Sequence, residues 1–300
     1  MKLTINNVSK RYGNGVQALK DVSLEISTGM FGLLGPNGAG KSTLMRTIAT
    51  LQEADSGSIV LDGIDVLKEK DKIRRILGYL PQEFGVYPES SAEELLSHLA
   101  ILKGISRTKD RKQTVTTLLK QTNLYQYRKK KLGSYSGGML QRFGIAQALL
   151  GSPELIIVDE PTAGLDPEER KRFHNLLSEI GESVIVILST HIVDDVSQLC
   201  GNMAIIHEGR VLLTGEPIKT MAGLQGKIWR KVIDKQELSQ YKDTFNVIST
   251  NLFAGKLLLH VHSETRPDNS FEEVEPTLED VYFTTIKAAK KQELEEKEAA

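Results

Sequence analysis

Hydrophobic residues in the first two thirds of the chain follow two patterns in turn. Short uninterrupted apolar runs at 30–34, 76–80, 155–158 and 184–188 are typical of strands buried on both faces of a parallel sheet. Between these runs, apolar positions spaced three and four residues apart predict helices over 44–51, 139–149 and 173–177. Strands that alternate with helices in this way predict an α/β fold.

Other segments depart from this alternation and determine the predicted domain organisation. Alternating apolar positions at 3–8 and 22–26 predict an N-terminal antiparallel β subdomain, and helical spacing over 91–121 predicts a helical subdomain inserted at about 84–150. Apolar runs on both sides of Glu208 and Gly209 predict a hairpin. We therefore expect a first domain over 1–215 and a small α+β appendage over 216–300, with apolar stretches at 228–233, 245–248 and 256–261. The charged segment 287–300 is expected to be a frayed helix or disordered.

Residues 35–43 read Gly-Pro-Asn-Gly-Ala-Gly-Lys-Ser-Thr, which fits the phosphate-binding pattern G-x-x-x-x-G-K-[ST]. A predicted strand precedes this loop and a predicted helix begins near Lys41. The glycines can therefore turn successive N–H groups towards phosphate, and the helix adds the positive end of its dipole. We expect Lys41 to reach the β- and γ-phosphates and the Ser42 hydroxyl to ligate Mg²⁺. The predicted nucleotide-binding residues of the loop are Asn37, Gly38, Ala39, Gly40, Lys41, Ser42 and Thr43.

Acidic and polar side chains follow three further predicted strands. Asp159 and Glu160 end the run at 155–158, and ligands of such sheets lie at the carboxyl ends of strands. We expect Asp159 to hold Mg²⁺ through its water shell and Glu160 to orient and polarise an attacking water. His191 follows the next strand and lies at the same predicted edge. Gln82, just after 76–80, can ligate Mg²⁺ through its amide oxygen, although a single glutamine is ordinarily a surface residue.

Two further features have both a structural and a functional interpretation. Ser136 is a natural N-cap, and Gly137 and Gly138 leave the start of the next predicted helix free of side chains. This start is either only a capped helix terminus or a second phosphate site, and the pattern alone favours neither. Tyr12, in a turn-rich segment over 9–15, can stack on a flat base, but a tyrosine near a strand end usually only packs.

Composition and charge narrow the function. The net charge of −1 and the pI of about 6.6 give no electrostatic footprint for nucleic acid, and the basic run at 128–131 is interpreted as a solvated face. Cys200 is the only cysteine, which excludes an intrachain disulfide and fits a reducing compartment. The N-terminus has no signal-peptide core, and no apolar run approaches the ~20 residues that span a bilayer. We therefore expect a soluble chain that reaches a membrane only through a partner.

Taken together, the order and spacing of these motifs over 1–215 resemble the ATP-binding cassette (ABC) ATPase family. The resemblance implies a P-loop NTPase core in which 35–43 is the Walker A motif and 155–159 the Walker B motif. It further implies that Tyr12 stacks on adenine, that Glu160 is the catalytic glutamate and that His191 is the switch histidine. Gln82 would sense the γ-phosphate and face the membrane partner. The loop Ala163 to Asp166 would cross a dimer interface, with Asp166 among the nucleotide-binding residues.

The segment at 135–139 matches the family's Leu-Ser-Gly-Gly-Gln signature except at Tyr135 and Met139. Ser136, Gly137 and Gly138, which would contact phosphate, are intact. The Tyr-Ser-Gly-Gly-Met variant, the segment 84–88 and, more loosely, 276–282 resemble the drug and antibiotic exporter branch.

The resemblance implies an Mg²⁺-dependent ATPase that drives export through a separate transmembrane permease subunit. It acts with a second copy of itself, or with a homologous ATPase subunit, in a head-to-tail dimer. Its expected location is cytoplasmic, attached peripherally to the membrane through the permease. An ABC ATPase acting on nucleic acid or the ribosome is the alternative, but the chain has neither the tandem cassettes nor the long coiled-coil insertion of those proteins. A small-molecule kinase would leave Ser136 and His191 unexplained, and a purely structural role would leave Glu160 without purpose.

Overall fold

The computed structural model describes residues 1–162 and 165–298, with side chains as far as 295. Within these residues the strands are β1 (Lys2–Arg11), β2 (Gln17–Ser27), β3 (Gly29–Leu34), β4 (Ser56–Leu61), β5 (Ile64–Asp65), β6 (Leu77–Leu80), β7 (Leu155–Asp159), β8 (Ile185–Thr190), β9 (Asn202–His207), β10 (Arg210–Gly215), β11 (Ile228–Ile233), β12 (Val247–Phe253), β13 (Lys256–His262) and β14 (Glu272–Glu273). The helices are α1 (Lys41–Ile48), α2 (Lys70–Ile76), α3 (Ala92–Leu102), α4 (Thr108–Gln121), α5 (Gly137–Ala148), α6 (Pro167–Gly181), α7 (Val193–Leu199), α8 (Pro217–Ala222), α9 (Leu238–Thr244) and α10 (Leu278–Glu298).

The central sheet has six strands in the order β10-β9-β3-β8-β7-β6. The pairs from β9 to β6 are parallel, and β10 joins as an antiparallel edge strand. Every residue of β7 and β8 is buried, as their uninterrupted apolar runs predict. The carboxyl ends of β3, β6, β7 and β8 therefore meet at one edge, where the predicted site residues follow. The predicted α/β fold with a parallel sheet is confirmed.

A separate four-stranded antiparallel sheet, in the order β2-β1-β4-β5, packs its apolar face on α1 and the central sheet. The strand predicted from the apolar positions at 3–8 is part of β1, whose pairing with β2 shifts register between Ile5 and Val8. Asn7, inside this bulge, has a φ of 46°, a backbone conformation that asparagine tolerates. The turn-rich loop predicted over 9–15 begins only after Arg11, because pairing with β2 extends β1 to that residue.

Helices α3, α4 and α5 share a hydrophobic cluster of their own, which includes Leu96, Leu119 and Phe143. Ser91 begins α3 with a capping box: its hydroxyl accepts from the Glu94 N–H, and the Glu94 carboxylate accepts from the Ser91 N–H. The predicted helical subdomain therefore corresponds to a locally packed unit, whereas its limits at about 84–150 stay a prediction.

The chain beyond Gly215 forms an antiparallel sheet in the order β12-β13-β11-β14, followed by α10. Leu278, Val281 and Ile286 of α10 pack in the cluster that also covers one face of the central sheet. Asp280 accepts hydrogen bonds from Thr277 and pairs with Nδ1 of His260 at 2.7 Å, so it joins the start of α10 to β13.

For the charged segment 287–300, where a frayed helix and disorder were both expected, the described residues form a helix, because α10 continues to Glu298. The division of the chain at Gly215 stays a prediction. Two predicted positions, Ala163 and Gly164, lie outside the described residues, as do Ala299 and Ala300 of the charged tail. None of the helices in the described part of the chain combines the length and apolar character needed to cross a membrane.

Candidate functional site

The phosphate loop joins the end of β3 to the start of α1. Gly40, at the N-cap of α1, has a φ of 106°, and a Cβ there would lie 2.4 Å from the backbone oxygen of Ala18. Glycine is therefore required by both conformation and space. No side chain caps α1, so the N–H groups of its first turn have neither an intrahelical acceptor nor a side-chain acceptor. These free donors, at the positive end of a helix dipole, form a candidate anion site.

A cavity of about 600 Å³ opens over this loop. Tyr12 forms part of its wall, and its hydroxyl lies 3.1 Å from the Thr43 hydroxyl and donates to Gln52 at 2.9 Å. The ring is thereby fixed beside the phosphate loop. The predicted residues that line the cavity are Tyr12, Asn37, Gly38, Ala39, Gly40, Lys41, Ser42, Thr43, Gln82 and Glu160.

Lys41 is 5% exposed and lies between the loop and the edge of the central sheet. Its ammonium donates to the backbone oxygens of Gly35 at 2.7 Å and Pro36 at 3.1 Å, and it lies 3.7 Å from Oε1 of Glu160. Burial lowers the pKa of Lys41, although the carboxylates of Glu160 and Asp159 act in the opposite direction. A multiply charged phosphate is a stronger acceptor than two carbonyl oxygens, so the ammonium is positioned to exchange them for a ligand.

Glu160 is the centre of the catalytic candidates. Its backbone φ of 48° is in the left-handed region, which is a strained conformation for a glutamate and is typical of functional sites. Oε2 lies 3.2 Å from Nδ1 of His191 and accepts from Nε2 of Gln82 at 3.3 Å. The structure therefore brings together the three predicted catalytic residues, which come from three different strand ends, around one carboxylate beside Lys41.

Asp159 is buried at the end of β7, and its Oδ1 accepts from the Ser189 hydroxyl at 2.6 Å. Asp159 is not among the residues that line the cavity over the phosphate loop. Burial lowers the pKa of the Lys41 ammonium, which does line that cavity, and the negative charge of Asp159 acts to raise that pKa. With the Ser42 hydroxyl and the Gln82 amide oxygen, the Asp159 carboxylate provides a set of hard oxygen donors, which is the type that Mg²⁺ prefers. The three predicted metal ligands thus carry donor atoms of the chemical type that this ion prefers.

The predicted second phosphate site lies elsewhere. Ser136 caps α5, and its hydroxyl accepts from the Met139 N–H at 3.2 Å. Gly138 packs against the Glu169 side chain of α6, so the starts of α5 and α6 are neighbours. Asp166 caps α6 by accepting from the Glu169 N–H at 2.9 Å. Ser136, Gly137, Gly138 and Asp166 are not among the residues that line the cavity over the phosphate loop.

Sequence reasoning missed a buried network behind the predicted catalytic edge. Asp195 of α7 is fully buried and bonds to Thr162, to Arg170 and to Nε2 of His174. Burial opposes ionisation of Asp195, but the hydrogen bonds from His174, Thr162 and Arg170 hold its pKa below the ordinary value. The network fixes both ends of the segment that contains the loop 163–166. The only sequence signal was an aspartate four residues after His191.

Two other cavity residues, Lys20 and Glu208, also escaped prediction. Glu208 is in the turn between β9 and β10, where the N–H of Gly209 donates to the Ala39 oxygen at 2.9 Å. The Lys20 N–H donates to the Gly209 oxygen at 2.8 Å. This hairpin turn therefore supports the phosphate loop directly, which its sequence gives no reason to expect.

Residues 19–163 match the family described as ABC transporter. The chain is 32% identical over 304 residues to the probable multidrug ABC transporter ATP-binding protein YbhF of Escherichia coli (strain K12), an alignment that covers 96% of this chain and 52% of that protein. The chain thus spans about half the length of this relative. It is 33% identical over 265 residues to the linearmycin resistance ATP-binding protein LnrL of Bacillus subtilis (strain 168), covering 88% of this chain and 81% of that protein.

Among solved structures, the fold is similar to a dimeric structure of the ATP-binding cassette MJ0796 in a post-hydrolysis state bound to ADP and Pi. The TM-score is 0.65 at 28% identity, over 71% of this chain and 98% of that chain. The family match includes the phosphate loop and the β7 strand end, and the similarity to LnrL extends over most of both proteins. Sequence, fold and site geometry agree that the chain belongs to the ABC transporter family of ATP-binding proteins.

Proposed function

We propose that this chain is the nucleotide-binding subunit of an ABC transporter, that it hydrolyses ATP with Mg²⁺, and that it drives export. The observation that carries the proposal is the position of the Glu160 carboxylate, which lies at the phosphate-loop cavity 3.7 Å from the Lys41 ammonium. A base and a phosphate-binding cation at this separation fit hydrolysis of the phosphoanhydride bond between the β- and γ-phosphates, in which water attacks the γ-phosphorus and ADP leaves.

The predicted site residues have distinct roles in this proposal. The N–H groups of the loop and the Lys41 ammonium bind the β- and γ-phosphates, and the Tyr12 ring supports the adenine. Glu160 orients water and accepts its proton, while His191 and Gln82 hold the carboxylate from two other strands. Ser42, Gln82 and Asp159 would hold Mg²⁺, which when bound neutralises charge on the phosphate oxygens.

A second subunit completes the proposed site. A lysine about 4 Å from a phosphate charge contributes roughly 4 kcal/mol at an effective dielectric constant near 20, whereas a helix N-terminus contributes about 0.3–2 kcal/mol. One chain therefore captures ATP mainly through its phosphate loop. The weaker Ser136 start, which is absent from that cavity, and Asp166 act on the nucleotide of the opposite chain in a head-to-tail dimer. Loss of the γ-phosphate removes this contact and reopens the dimer.

The proposed membrane partner is a separate permease subunit that contacts the Gln82 region. This surface includes the segment 84–88, in which Tyr87 is 71% exposed. The names of the multidrug and linearmycin-resistance relatives favour export over the nucleic-acid alternative. Through this partner the chain would sit at the cytoplasmic face of the membrane. Co-purification with a tagged copy of the chain should identify the permease.

We also propose that 1–215 is the ATPase domain and that the chain beyond it contributes to dimerisation or to coupling with the permease. The contacts of Leu278, Val281 and Ile286 with the central core show where truncation would expose apolar surface. A shortened chain should therefore be tested for folding before its nucleotide affinity and dimerisation are compared with those of the full chain.

The decisive test is Glu160→Gln, which keeps the shape of the side chain but removes the charge that accepts a proton. We expect ATP turnover to fall at least a hundredfold while ATP binding is retained, so that the variant accumulates as a dimer on a sizing column run with ATP. Glu154→Gln is the matched control, because Glu154 is exposed just before the opposite end of β7. Wild-type turnover in Glu160→Gln would contradict the proposed role of this carboxylate.

A further inference from the structure

Three side chains with metal-ligating atoms meet where the end of α10 reaches the β9–β10 hairpin. His207 is the last residue of β9, Glu208 is in the turn, and Glu293 is on α10. One ligand atom from each of them lies within 4.8 Å of the other two. Glu208 also lines the cavity over the phosphate loop, whereas His207 and Glu293 are outside it. The cluster is therefore adjacent to the nucleotide cavity but separate from the predicted Mg²⁺ ligands.

His207 gives this cluster its significance. The residue is only 8% exposed, and both of its ring nitrogens are buried without a hydrogen-bond partner among the described residues. Buried polar atoms are nearly always paired, because leaving water without a new partner costs free energy. The His207 imidazole has two carboxylates nearby and no hydrogen bond to either, so its ring nitrogens need a further bonding partner.

The spacing and the type of the three ligand atoms indicate that this partner is a metal ion. Nitrogen and oxygen ligands bind Zn²⁺ at about 2.0–2.2 Å, which places neighbouring ligands of a tetrahedral ion roughly 3.4 Å apart. Atoms within 4.8 Å of one another can therefore close on one ion with small side-chain rotations. One imidazole and two carboxylates also suit a first-row divalent ion better than Mg²⁺, which favours oxygen ligands only.

We propose that His207, Glu208 and Glu293 form a binding site for a divalent transition-metal ion, with Zn²⁺ as the preferred ion. The ion supplies the missing partner of the His207 ring and neutralises the two carboxylates beside it. Solvent occupies the fourth position, because Glu208 is exposed and leaves one side of the site open.

The location of the site gives the ion a structural consequence. Glu208 is followed by Gly209, whose N–H and carbonyl groups bond to Ala39 of the phosphate loop and to Lys20 of β2. Glu293 is on the helix that also packs against β10, α7 and α8. An ion bound to all three ligands therefore fastens the end of α10 to the turn that supports the phosphate loop.

The primary test is Zn²⁺ binding to the full-length, nucleotide-free chain after chelator treatment, measured by equilibrium dialysis with excess Mg²⁺ to saturate oxygen-only sites. We expect one Zn²⁺ per chain and at least about tenfold weaker binding in Glu293→Gln. Glu295→Gln is the matched control, since it makes the same charge change on the same helix at an exposed residue that pairs with Lys291. Absence of saturable binding, or equal affinity in the two variants, would overturn the proposal.

A second measurement tests the link between α10 and the hairpin without relying on activity. Zn²⁺ should raise the Tm of the wild-type chain and of Glu295→Gln and should slow hydrogen exchange in the last turns of α10, whereas Glu293→Gln should show neither effect. If the His207 ring only pairs with a carboxylate in solution, the chelated and Zn²⁺-loaded proteins will have the same Tm and exchange rates. That result would exclude the metal site.

Discussion

The starts of α1 and α5 are two versions of one structural element. Both are helix N-termini next to glycines, and both present N–H groups that can bind an anion. They differ in what occupies those groups. α1 has Gly40 at its N-cap and no side-chain acceptor, whereas the hydroxyl of Ser136 already accepts from the Met139 N–H in α5.

The surroundings of the two helix starts also favour phosphate binding at α1 over α5. The start of α1 opens into the cavity, with Lys41 buried beside it, while the start of α5 is away from that cavity and Ser136 is exposed. An uncapped helix end with a buried cation can bind phosphate strongly by itself. A capped and exposed end keeps its structure without phosphate and can add only a weaker contact. In our proposal, this difference is the reason why one chain carries both helix starts but needs a second chain to bring them to one nucleotide.

The strongest challenge to this comparison is Lys41→Ala. Removing the buried ammonium takes away a charge pair worth roughly 4 kcal/mol at an effective dielectric constant of 20, part of which is offset by desolvation. We expect ATP affinity to fall at least a hundredfold, measured by titration of the nucleotide under dilute, monomeric conditions. Lys20→Ala is the control, because Lys20 lines the same cavity but is less buried, and its effect should stay below tenfold. Equal losses of ATP affinity in the two variants would mean that Lys41 contributes no more to phosphate binding than Lys20 does.

The fold was predictable where the information is local. The run that forms β7 leads directly into Asp159 and Glu160, so one segment of sequence predicts both the strand and the position of the two carboxylates at its end. The phosphate loop is predictable for the same reason, since its glycines, Lys41 and Ser42 act within nine consecutive residues. The extent of β1 was wrong because cross-strand pairing, which is not local, decides where it ends.

The remaining parts of the site depend on residues that are distant in sequence. Asp195 is bound by partners 21 to 33 residues away on other elements, and no spacing rule marks such a set. The hairpin turn at Glu208 reaches the phosphate loop only because β9 pairs with β3. For the end of α10 the sequence left both a frayed helix and disorder open, because its polar, alanine-rich composition does not show which residues it packs against.

Two glycine substitutions test whether the backbone is more strained at the start of α1 than at the start of α5. Gly40→Ala places a Cβ at a φ of 106° and 2.4 Å from the Ala18 oxygen, so we expect a loss of about 2 kcal/mol in the free energy of unfolding. Gly137→Ala meets no atom within 4 Å and is in a helix, so it should stabilise the fold by up to about 1 kcal/mol. Denaturant unfolding of the two variants checks both signs. If both substitutions changed the free energy of unfolding in the same direction, the backbones at Gly40 and Gly137 would not differ in conformational strain.

Ser136→Arg tests whether α1 binds ATP within its own chain while the start of α5 contacts the nucleotide of the opposite chain. The bulky cation obstructs the exposed start of α5, which in our proposal contacts the nucleotide of the opposite chain. We expect turnover to fall at least about tenfold while the affinity of the dilute monomer for ATP changes less than twofold. Ser134→Arg, which introduces the same side chain at another exposed serine two residues earlier, should keep more of the turnover. A parallel loss of monomer affinity in Ser136→Arg would mean that Ser136 acts within its own chain.

The smallest expected effect concerns the cap itself. Ser136→Ala removes the acceptor of the Met139 N–H, and loss of such a cap costs about 1 kcal/mol of stability. Ser106→Ala, at an exposed loop serine, provides the baseline for a substitution without a cap. Saturating ATP with Mg²⁺ should then stabilise wild type and Ser136→Ala equally under monomeric conditions, by about 2.7 kcal/mol at a hundred times the Kd, because the ligand binds at α1 in both. If nucleotide instead reduced the difference in unfolding free energy between the wild type and Ser136→Ala, its phosphate would be replacing the lost cap in the same chain. The starts of α1 and α5 would then share one function, and the need for a second subunit would disappear.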